Sequence, residues 1–451
     1  MNRVISEKIL RMKFPSRFRL WEFDRKYEYA SIEECRYLQK TLLLDMLDYS
    51  IKNVPYYLEV AESMDIKPSL ENVSRDIEKF PVLTKEILRH RFQDLKSESF
   101  KGSFHEKTSG GSTGEPAVFL QHYSFQQRNA ATEMLFYGWA GRKPGGSMVR
   151  LWGDENYINR TRTGIKGLVR GHIFNTVILN SYRMSPETMN DYINIINRKK
   201  PEVIEGYVES LYELARFAGE HDIPVYSPRG VVSTAGMLYP EIKEFLRKSF
   251  NCRVINRYGS REGGDMACTC EKDQGFHQNV FNHYIEILDE SLRPCKAGET
   301  GSIYVTTLHN RVMPLIRYKI GDVAVPAENE KCSCGRGMPL VREVRGRETE
   351  HFIAGNGEMV YAGYFRKLLY GLTWIRQYQI VQEDYGRIVY YFVEDSPGEA
   401  QTGELRRIEA AAKKAMGDGC RVDFKFVDDI KPSRSGKYLY TVNKVKDSVI
   451  K

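Results

Sequence analysis

Long apolar runs are missing from this chain of 451 residues. No run approaches the ~20 consecutive apolar residues that a membrane-spanning helix requires, so no transmembrane segment is predicted. The N-terminal stretch 1–23 is basic, but it has neither a continuous apolar core nor a small-residue cleavage site, so it is not expected to be a signal peptide. A cytoplasmic location is the resulting expectation.

Cysteine is also sparse, and internal repeats and low-complexity tracts are absent. Eight cysteines in 451 residues do not indicate a disulfide framework. Cys35, Cys252, Cys295 and Cys420 are scattered, which is typical of buried, small apolar residues. The other four lie in two close pairs, a spacing that metal ligands often show.

Charge of one sign is only in modest excess. The 67 basic and 59 acidic residues give a net charge of +8. That charge suits an anionic small molecule, a membrane surface or simply a mixed soluble surface, and no nucleic-acid partner is expected. The basic N-terminal stretch contains Phe14, Phe18 and Trp21. It predicts either an interfacial anchor or a docked helix, and the docked helix is preferred.

The apolar pattern predicts an α/β protein of two domains. Helical periodicity appears over 33–63 and 122–140, and from 148 to 260 short apolar segments alternate with amphipathic ones, as in βαβ units with a parallel sheet. Strands and turns dominate about 278–345, which predicts a β-rich subdomain. The remainder shows a strand hairpin, a helix and a further strand. We therefore expect a domain over 1–345 and a small α+β domain over 346–451.

Thr108–Glu115 is the segment that most strongly indicates chemistry. Its sequence, TSGGSTGE, combines three glycines with four hydroxyl side chains. Glycines permit close backbone approach and leave N–H groups free to contact an anion. The loop suits a polyphosphate, although it is not a Walker A loop because no Lys-Ser/Thr pair follows the last glycine. A flexible linker is the alternative interpretation.

This loop resembles the phosphate loop of the adenylate-forming superfamily, in particular the phenylacetate–coenzyme A ligase branch and its relatives in surface-polysaccharide gene clusters. Four further segments resemble the motifs of this branch and occur in the same order. They are RYGSRE (257–262), RYKIGD (317–322), RGRETE (345–350) and PSRSGK (432–437). The resemblance covers about 100–440, and five motifs in order make chance agreement improbable.

The resemblance implies a role for each motif. The 108–114 loop would bind the β- and γ-phosphates of ATP, and Glu262 would help to hold Mg²⁺. Asp322 would accept hydrogen bonds from the ribose, and Lys437 would stabilise charge on the α-phosphate during attack by a carboxylate. The implied ATP-binding residues are Thr108, Ser109, Gly110, Gly111, Ser112, Thr113, Gly114, Ala235, Gly236, Tyr258, Gly259, Ser260, Asp322 and Arg347.

Two departures affect what the resemblance implies. Thr349 occupies the hinge position at which the family usually carries Asp or Lys, so the second reaction step is less well specified than the first. Met237 follows Gly236, where an acidic residue is common. The region around Gly236 borders the acyl and adenine pocket in the family, and Trp152 and Tyr207 are candidates either for that pocket or for the core.

The paired cysteines predict a structural zinc site. Cys270 and His277 precede Cys332-Ser-Cys334 by about fifty residues, and three cysteines with one histidine complete a closed tetrahedral site. Cys268 is an alternative to Cys270, and His283 is an alternative to His277. Relatives in this branch look similar and favour Cys270, His277, Cys332 and Cys334. Unliganded, reduced cysteines are the remaining interpretation.

The predicted activity is AMP-forming activation of a carboxylic acid, followed by transfer to coenzyme A. Transfer to an amine or amino sugar, which would give an amide, and adenylyl transfer that leaves AMP on the product are the alternatives. A binding protein without catalytic activity is disfavoured because Lys437, Glu262 and Asp322 are all present. The identity of the acid and the oligomeric state do not follow from the sequence.

Overall fold

The computed structural model describes residues 2–109, 117–153, 171–181, 184–347, 351–356, 359–369, 372, 374–395, 402–431 and 440–445. Two compact units divide the chain. The first unit comprises 1–110, 116–320 and 324–344, and the second comprises 111–115, 321–323 and 345–451. In the described part of the chain, no helix has the length and apolar character needed to cross a membrane.

Helices dominate the first ninety residues. They are α1 (Arg3–Lys13), α2 (Pro15–Tyr27), α3 (Ile32–Asn53), α4 (Pro55–Ser63), α5 (Val73–Asp76), a 3-10 turn (Ile77–Lys79) and α6 (Lys85–His90). α3 begins at a capping box in which Ser31 and Glu34 satisfy each other's backbone N–H groups. The next helix starts with Pro55, because proline is favoured at a first helical position but breaks a continuing helix.

The N-terminal stretch is docked on the first unit. Phe18 and Trp21 of α2 are buried, and the Asp24 carboxylate forms a buried ion pair with Arg128. Arg128 belongs to α7 (Tyr123–Trp139). This placement agrees with the docked-helix interpretation of the basic segment.

An eleven-stranded mixed sheet forms the centre of the first unit. A separate hairpin, β1 (Phe104–Thr108) and β2 (Val118–His122), precedes it. The strands of the sheet are β3 (Met148–Trp152), β4 (Thr176–Asn180), β5 (Val203–Tyr207), β6 (Gly230–Thr234), β7 (Arg253–Ser260), β8 (Gly264–Thr269), β9 (Phe276–Gln278), β10 (His283–Leu288), β11 (Gly301–Thr307), β12 (Tyr318–Pro326) and β13 (Leu340–Arg347). Their spatial order is β10-β11-β12-β13-β9-β8-β7-β6-β5-β3-β4.

The parallel part of this sheet agrees with the βαβ prediction. β4, β3, β5, β6 and β7 pair in parallel. The connecting helices are α8 (Pro186–Lys199), α9 (Val208–Glu220) and α10 (Pro240–Ser249). Two of these helices begin with proline, and Ser185 caps α8. The carboxyl ends of these strands therefore meet at one edge of the sheet, where open α/β sheets bind ligands.

The predicted β-rich segment differs from expectation in one respect. Strands β10 to β13 do occur there, but they belong to the same sheet as the parallel strands. Antiparallel pairing of β7 with β8, of β8 with β9 and of β9 with β13 makes the sheet continuous. The change in sequence pattern marks a change from parallel to antiparallel pairing, because hairpin-connected strands do not require crossover helices.

The second unit has a small sheet of its own. Its elements are β14 (His351–Ile353), β15 (Met359–Tyr361), α11 (Gly363–Lys367), β16 (Ile375–Asp384), β17 (Arg387–Glu394), α12 (Thr402–Met416), β18 (Arg421–Phe426) and β19 (Thr441–Asn443). β16 and β17 form the predicted hairpin, and the sheet order is β18-β17-β16-β19. Phe352, Phe365, Phe392 and Ile408 are fully buried between the sheet and its helices. The predicted hairpin, helix and strand are thus present.

Candidate active site and metal centre

The β1–β2 hairpin carries both ends of the predicted phosphate loop. Thr108 pairs with Val118 across the hairpin. The backbone N–H of Ser109 donates to the carbonyl oxygen of Ala117 at 2.8 Å, and the Ser109 hydroxyl accepts from the Ala117 N–H at 2.9 Å. These two bonds close the hairpin at the base of the loop. The predicted loop residues that lie outside the described residues are Gly110, Gly111, Ser112, Thr113 and Gly114.

Glu262 lies in the tight turn between β7 and β8 and is only 5% exposed. Gln121 of β2 donates from Nε2 to the carbonyl oxygens of Arg261 and Glu262, at 3.1 and 2.9 Å. The Tyr318 hydroxyl donates to Oε1 of Glu262 at 3.3 Å. One amide side chain thus joins the phosphate-loop hairpin to the Glu262 turn, while a phenol orients the carboxylate.

Small residues of the RYGSRE motif shape this turn. A side chain at Gly259 would place its Cβ 2.6 Å from the carbonyl oxygen of Gly264, so glycine permits the close approach of β7 and β8. The Ser260 hydroxyl accepts from the Gly263 N–H at 3.0 Å. Tyr258 is half-buried on β7. These contacts fix the backbone, and the role of Tyr258 in ATP binding stays a prediction.

Ala235 is backbone-strained at the carboxyl end of β6. Its φ of 58° lies in the left-handed region, which costs a non-glycine residue on the order of 1 kcal/mol. At Gly236, an added Cβ would lie 2.9 Å from a carboxylate oxygen of Glu209. Both predicted ATP-binding residues therefore follow the carboxyl end of β6, at the edge where open α/β sheets bind ligands.

Asp322 and Arg347 contact each other within the second unit. The Arg347 Nε atom lies 3.1 Å from Oδ1 of Asp322. Asp322 is 6% exposed, and the preceding Gly321 has a φ of 83°. The structure thus brings together two of the predicted ATP-binding residues. Lys437 and the hinge candidate Thr349 lie outside the described residues.

The structure brings Cys270, His277, Cys332 and Cys334 together. Their four ligand atoms all lie within 4.8 Å of one another. The Sγ atoms of Cys270 and Cys332 are 3.6 Å apart, and Cys334 Sγ is 3.4 Å from His277 Nε2. Ligand bonds of about 2.0–2.3 Å in a tetrahedron require ligand separations of roughly 3.4–3.8 Å. These two separations lie in that range, and three thiols with one imidazole are the donor set of a closed zinc site.

Backbone N–H groups surround the sulfur atoms of this cluster. Lys272 N–H donates to Cys270 Sγ and Arg336 N–H donates to Cys334 Sγ, both at 3.4 Å. Gly335 has a φ of 82° and turns the chain between Cys334 and Arg336. Such bonds stabilise negative charge on sulfur, which is the state that binds metal.

The pKa shifts differ among the thiols of this cluster. Burial opposes ionisation of Cys334, but hydrogen bonds from His277 and from Arg336 outweigh it and lower the pKa of that thiol to about 6. Burial raises the pKa of the Cys270 thiol to about 12 in the metal-free protein. A bound cation would supply the charge that favours the thiolate of Cys270.

Both alternative ligands lie outside this cluster. The Cys268 thiol is buried and donates to the carbonyl oxygen of Thr269 at 3.4 Å. His283 Nε2 is 2.9 Å from the carbonyl oxygen of Gly263. Geometry therefore favours Cys270 over Cys268 and His277 over His283.

A cluster of buried charges was not predicted from the sequence. We call it the charge cluster, and its members are Glu133, Tyr137, Arg150, Glu205, Arg257 and Asp265. Arg150 and Arg257 both form ion pairs with Glu205, Arg150 also contacts Glu133 at 2.8 Å, and Arg257 contacts Asp265 at 2.8 Å. A single charged residue inside a short apolar strand, as in MVRLW and VIEGY, is the sequence feature that could have identified it.

The carboxylates of the charge cluster differ in pKa. Burial alone would raise the pKa of Glu133, but Arg150 and Arg257 lower it to about 2. Burial raises the pKa of Asp265 to about 6, although Arg257 opposes the shift. Glu133 is thus firmly ionised at neutral pH, whereas Asp265 approaches its titration range.

Comparison with known proteins confirms the family resemblance. Residues 352–444 match the family model described as the CapK C-terminal domain. CapK of Staphylococcus aureus is 23% identical over 434 residues, covering 93% of this chain and 92% of CapK. A phenylacetate-coenzyme A ligase of Thermus thermophilus is 26% identical over 365 residues, covering 77% of this chain and 78% of the ligase.

Comparison with solved structures confirms the predicted fold class. A 2-hydroxyisobutyryl-CoA ligase, solved in the postadenylation state with R3-HIB-AMP, superposes with a TM-score of 0.73. The match covers 94% of this chain and 93% of that ligase at 17% sequence identity. The chain therefore has the fold of an adenylate-forming enzyme.

Proposed function

We propose that this chain, a relative of CapK and of the phenylacetate-coenzyme A ligases, is an ATP-dependent, AMP-forming ligase. It activates a carboxylic acid as the acyl-adenylate and transfers the acyl group to an acceptor, for which coenzyme A is the first candidate. The observation that carries the proposal is the pair of hydrogen bonds from the Gln121 side chain, which holds the β1–β2 hairpin beside the buried Glu262.

In the first step, a carboxylate oxygen of the acid attacks the α-phosphorus of ATP, and pyrophosphate leaves. The phosphate loop binds the leaving phosphates through its backbone N–H groups. Mg²⁺, when bound, neutralises phosphate charge, and Glu262 is the side chain proposed to hold it, in the orientation that Tyr318 imposes. Asp322 binds the ribose hydroxyls, and Lys437 stabilises the charge that develops at the α-phosphate.

The second step needs an acceptor nucleophile. A thiol of coenzyme A would give a thioester, an amine or amino sugar would give an amide, and in both cases AMP leaves. CapK covers more of this chain than the phenylacetate-coenzyme A ligase does, 93% against 77%. The resemblance to relatives in surface-polysaccharide gene clusters is the reason to keep the amine or amino sugar as the second candidate.

The four-residue cluster is proposed to hold a structural Zn²⁺. Three thiolates and one imidazole fill a tetrahedral shell and leave no open position for a substrate. Cys270, His277 and Cys332 are buried. The ion would therefore connect the β8–β9 region to the segment before β13 rather than take part in the reaction.

Acid-dependent exchange of pyrophosphate into ATP tests the first step. The full-length protein is incubated with Mg²⁺, ATP, labelled pyrophosphate and a panel of acids, and mass spectrometry then identifies products formed with coenzyme A or amines. Lys437→Ala should lower the exchange rate by ~10²–10³-fold, because a preorganised charge stabiliser is removed. The control is Lys414→Ala, on the exposed end of α12. Exchange that is independent of every acid, or unchanged in Lys437→Ala, would contradict the proposed mechanism.

A further inference from the structure

The charge cluster is closed on one side and open on the other. Glu205, at its centre, is fully buried. The Glu133 side chain is 31% exposed, and those of Arg150 and Asp265 are each 15% exposed. Two of its three carboxylates, Glu133 and Asp265, therefore keep contact with solvent.

The open side lies at the carboxyl ends of the parallel strands. Trp152 of β3 and Tyr207 of β5 are the last residues of their strands, and their rings lie 4.9 Å apart. The Arg150 guanidinium lies 4.9 Å from the ring centre of Trp152. Strand register places Tyr207 beside Thr234, the residue before the strained Ala235. The charge cluster therefore borders the edge of the sheet where the ligand of an α/β protein binds.

Two carboxylate oxygens of the charge cluster accept no hydrogen bond within the cluster. Oε1 of Glu133 accepts from Tyr137, Arg150 and Arg257, and Oδ2 of Asp265 accepts from Arg257. Among the residues that the structure describes, none donates a hydrogen bond to Oε2 of Glu133 or to Oδ1 of Asp265. The neighbouring Arg142, whose guanidinium lies 5.4 Å from the ring centre of Tyr137 and whose charge acts on Glu133, is a third cation, so three carboxylates face three guanidinium groups.

We propose that the acid activated by this chain is polar and presents a hydroxyl or a protonated amine to Glu133 and Asp265. The inference rests on the proposed acid-activating function and names its substrate class. An unsubstituted aryl or alkyl group would remove water from the two carboxylate oxygens without supplying a donor, which is unfavourable. A donor-bearing acid replaces that water with hydrogen bonds to charged acceptors, which are the stronger class.

Calorimetric titration with matched acids tests this inference without requiring turnover. The pairs are 3-hydroxybutyrate with butyrate, 4-aminobutyrate with pentanoate, and 4-hydroxyphenylacetate with phenylacetate, each titrated into the full-length protein. We expect at least one donor-bearing acid to bind about tenfold or more tightly than its partner, and the hydroxyl and amine pairs to distinguish the two donors. Equal binding within every pair, or no binding of any acid, would overturn the inference.

Variants test whether the charge cluster causes the preference for donor-bearing acids. Glu133→Gln keeps the size of the side chain but removes the charge, so it should reduce the preference for the donor-bearing acid severalfold. Asp265→Asn is the second variant, in case Glu133→Gln does not fold, as checked by circular dichroism. Glu213→Gln, on the partly exposed surface of α9, is the control and should retain the preference. A preference that survives unchanged in both cluster variants would overturn the assignment.

Pyrophosphate exchange is measured separately on the same acids. Discrimination in the binding experiment without any exchange would contradict the proposed ligase activity but not the polar site. The opposite result is equal exchange with phenylacetate and 4-hydroxyphenylacetate together with equal binding within every acid pair. That result would contradict the polar site but not the ligase activity.

Discussion

His277 Nδ1 lies 3.1 Å from the carbonyl oxygen of Met338. Because a carbonyl can only accept, Nδ1 carries a proton, and Nε2, the nitrogen that faces Cys334, is the one that a cation would bind. Metal-binding histidines commonly have this second hydrogen bond, which fixes the tautomer and the ring orientation. The ring is thus prepared to bind a cation before one arrives.

Cys334→Ser should abolish binding of zinc and destabilise the protein. Purified wild-type protein should contain about one zinc per chain, and the variant almost none, by elemental analysis. The midpoint of thermal unfolding should fall by on the order of 5 °C, because a structural metal contributes to folding free energy. Cys268→Ser is the control for zinc content, since Cys268 is a more deeply buried cysteine that lies outside the cluster. Equal zinc content in wild type and Cys334→Ser would contradict the site.

Tyr318→Phe should raise the Mg²⁺ concentration required for pyrophosphate exchange. The phenol donates a hydrogen bond to the Glu262 carboxylate, and a bond to a charged group contributes about 1.5 kcal/mol, which corresponds to about a tenfold change. The half-saturating Mg²⁺ concentration is the quantity to measure. Tyr192→Phe is the control, because it removes a hydrogen bond to the carbonyl oxygen of Asn180 in the edge strand β4. It should leave the half-saturating Mg²⁺ concentration unchanged. A Tyr318→Phe variant with wild-type Mg²⁺ dependence would mean that Glu262 does not hold the ion.

Thr349→Pro should separate the two half-reactions. Proline fixes φ near −65°, so a rotation at this position would be prevented. If adenylate formation uses the conformation that proline allows, exchange should persist while transfer to coenzyme A or an amine is lost. Both rates are measured on the same variant. Equal loss of both, with an intact circular dichroism spectrum, would show that Thr349 is not the hinge.

Asp24→Asn should change how stability depends on pH. Burial raises the pKa of Asp24 to about 6 despite the opposing charge of Arg128, against an ordinary value of 3.8. Between about pH 4 and 6 the folded state therefore holds a proton that the unfolded state has released, and stability falls as the pH rises, by up to about 3 kcal/mol. The variant lacks this titration. Unfolding midpoints at pH 4.5 and 7 should show a smaller decrease for Asp24→Asn than for wild type, while Asp191→Asn, an exposed control, should behave as wild type.

Local patterns predicted the elements but not their long-range partners. The helix at 186–199 and the strand at 203–207 follow directly from periodicity, because side chains repeat on one face of each element. The joining of β10–β13 to the large sheet did not follow, since strand pairing depends on contacts between distant segments. The four metal ligands were named from their spacing and family resemblance. Gln121 and Glu205 were missed because each acts through partners more than fifty residues away.

Trp139 gives the proposed zinc site an intrinsic optical reporter. Its ring lies 5.5 Å from that of His277 and 4.5 Å from the Arg336 guanidinium, and its indole N–H donates to Glu28 at 2.8 Å. Arg336 follows the Cys-x-Cys turn and also pairs with Glu28. A change in charge or position at the four-residue cluster should therefore alter the fluorescence of Trp139, because His277 and Arg336 lie against its ring. Since the chain has only four tryptophans, uptake and loss of the ion can be followed by fluorescence in the intact, unlabelled protein.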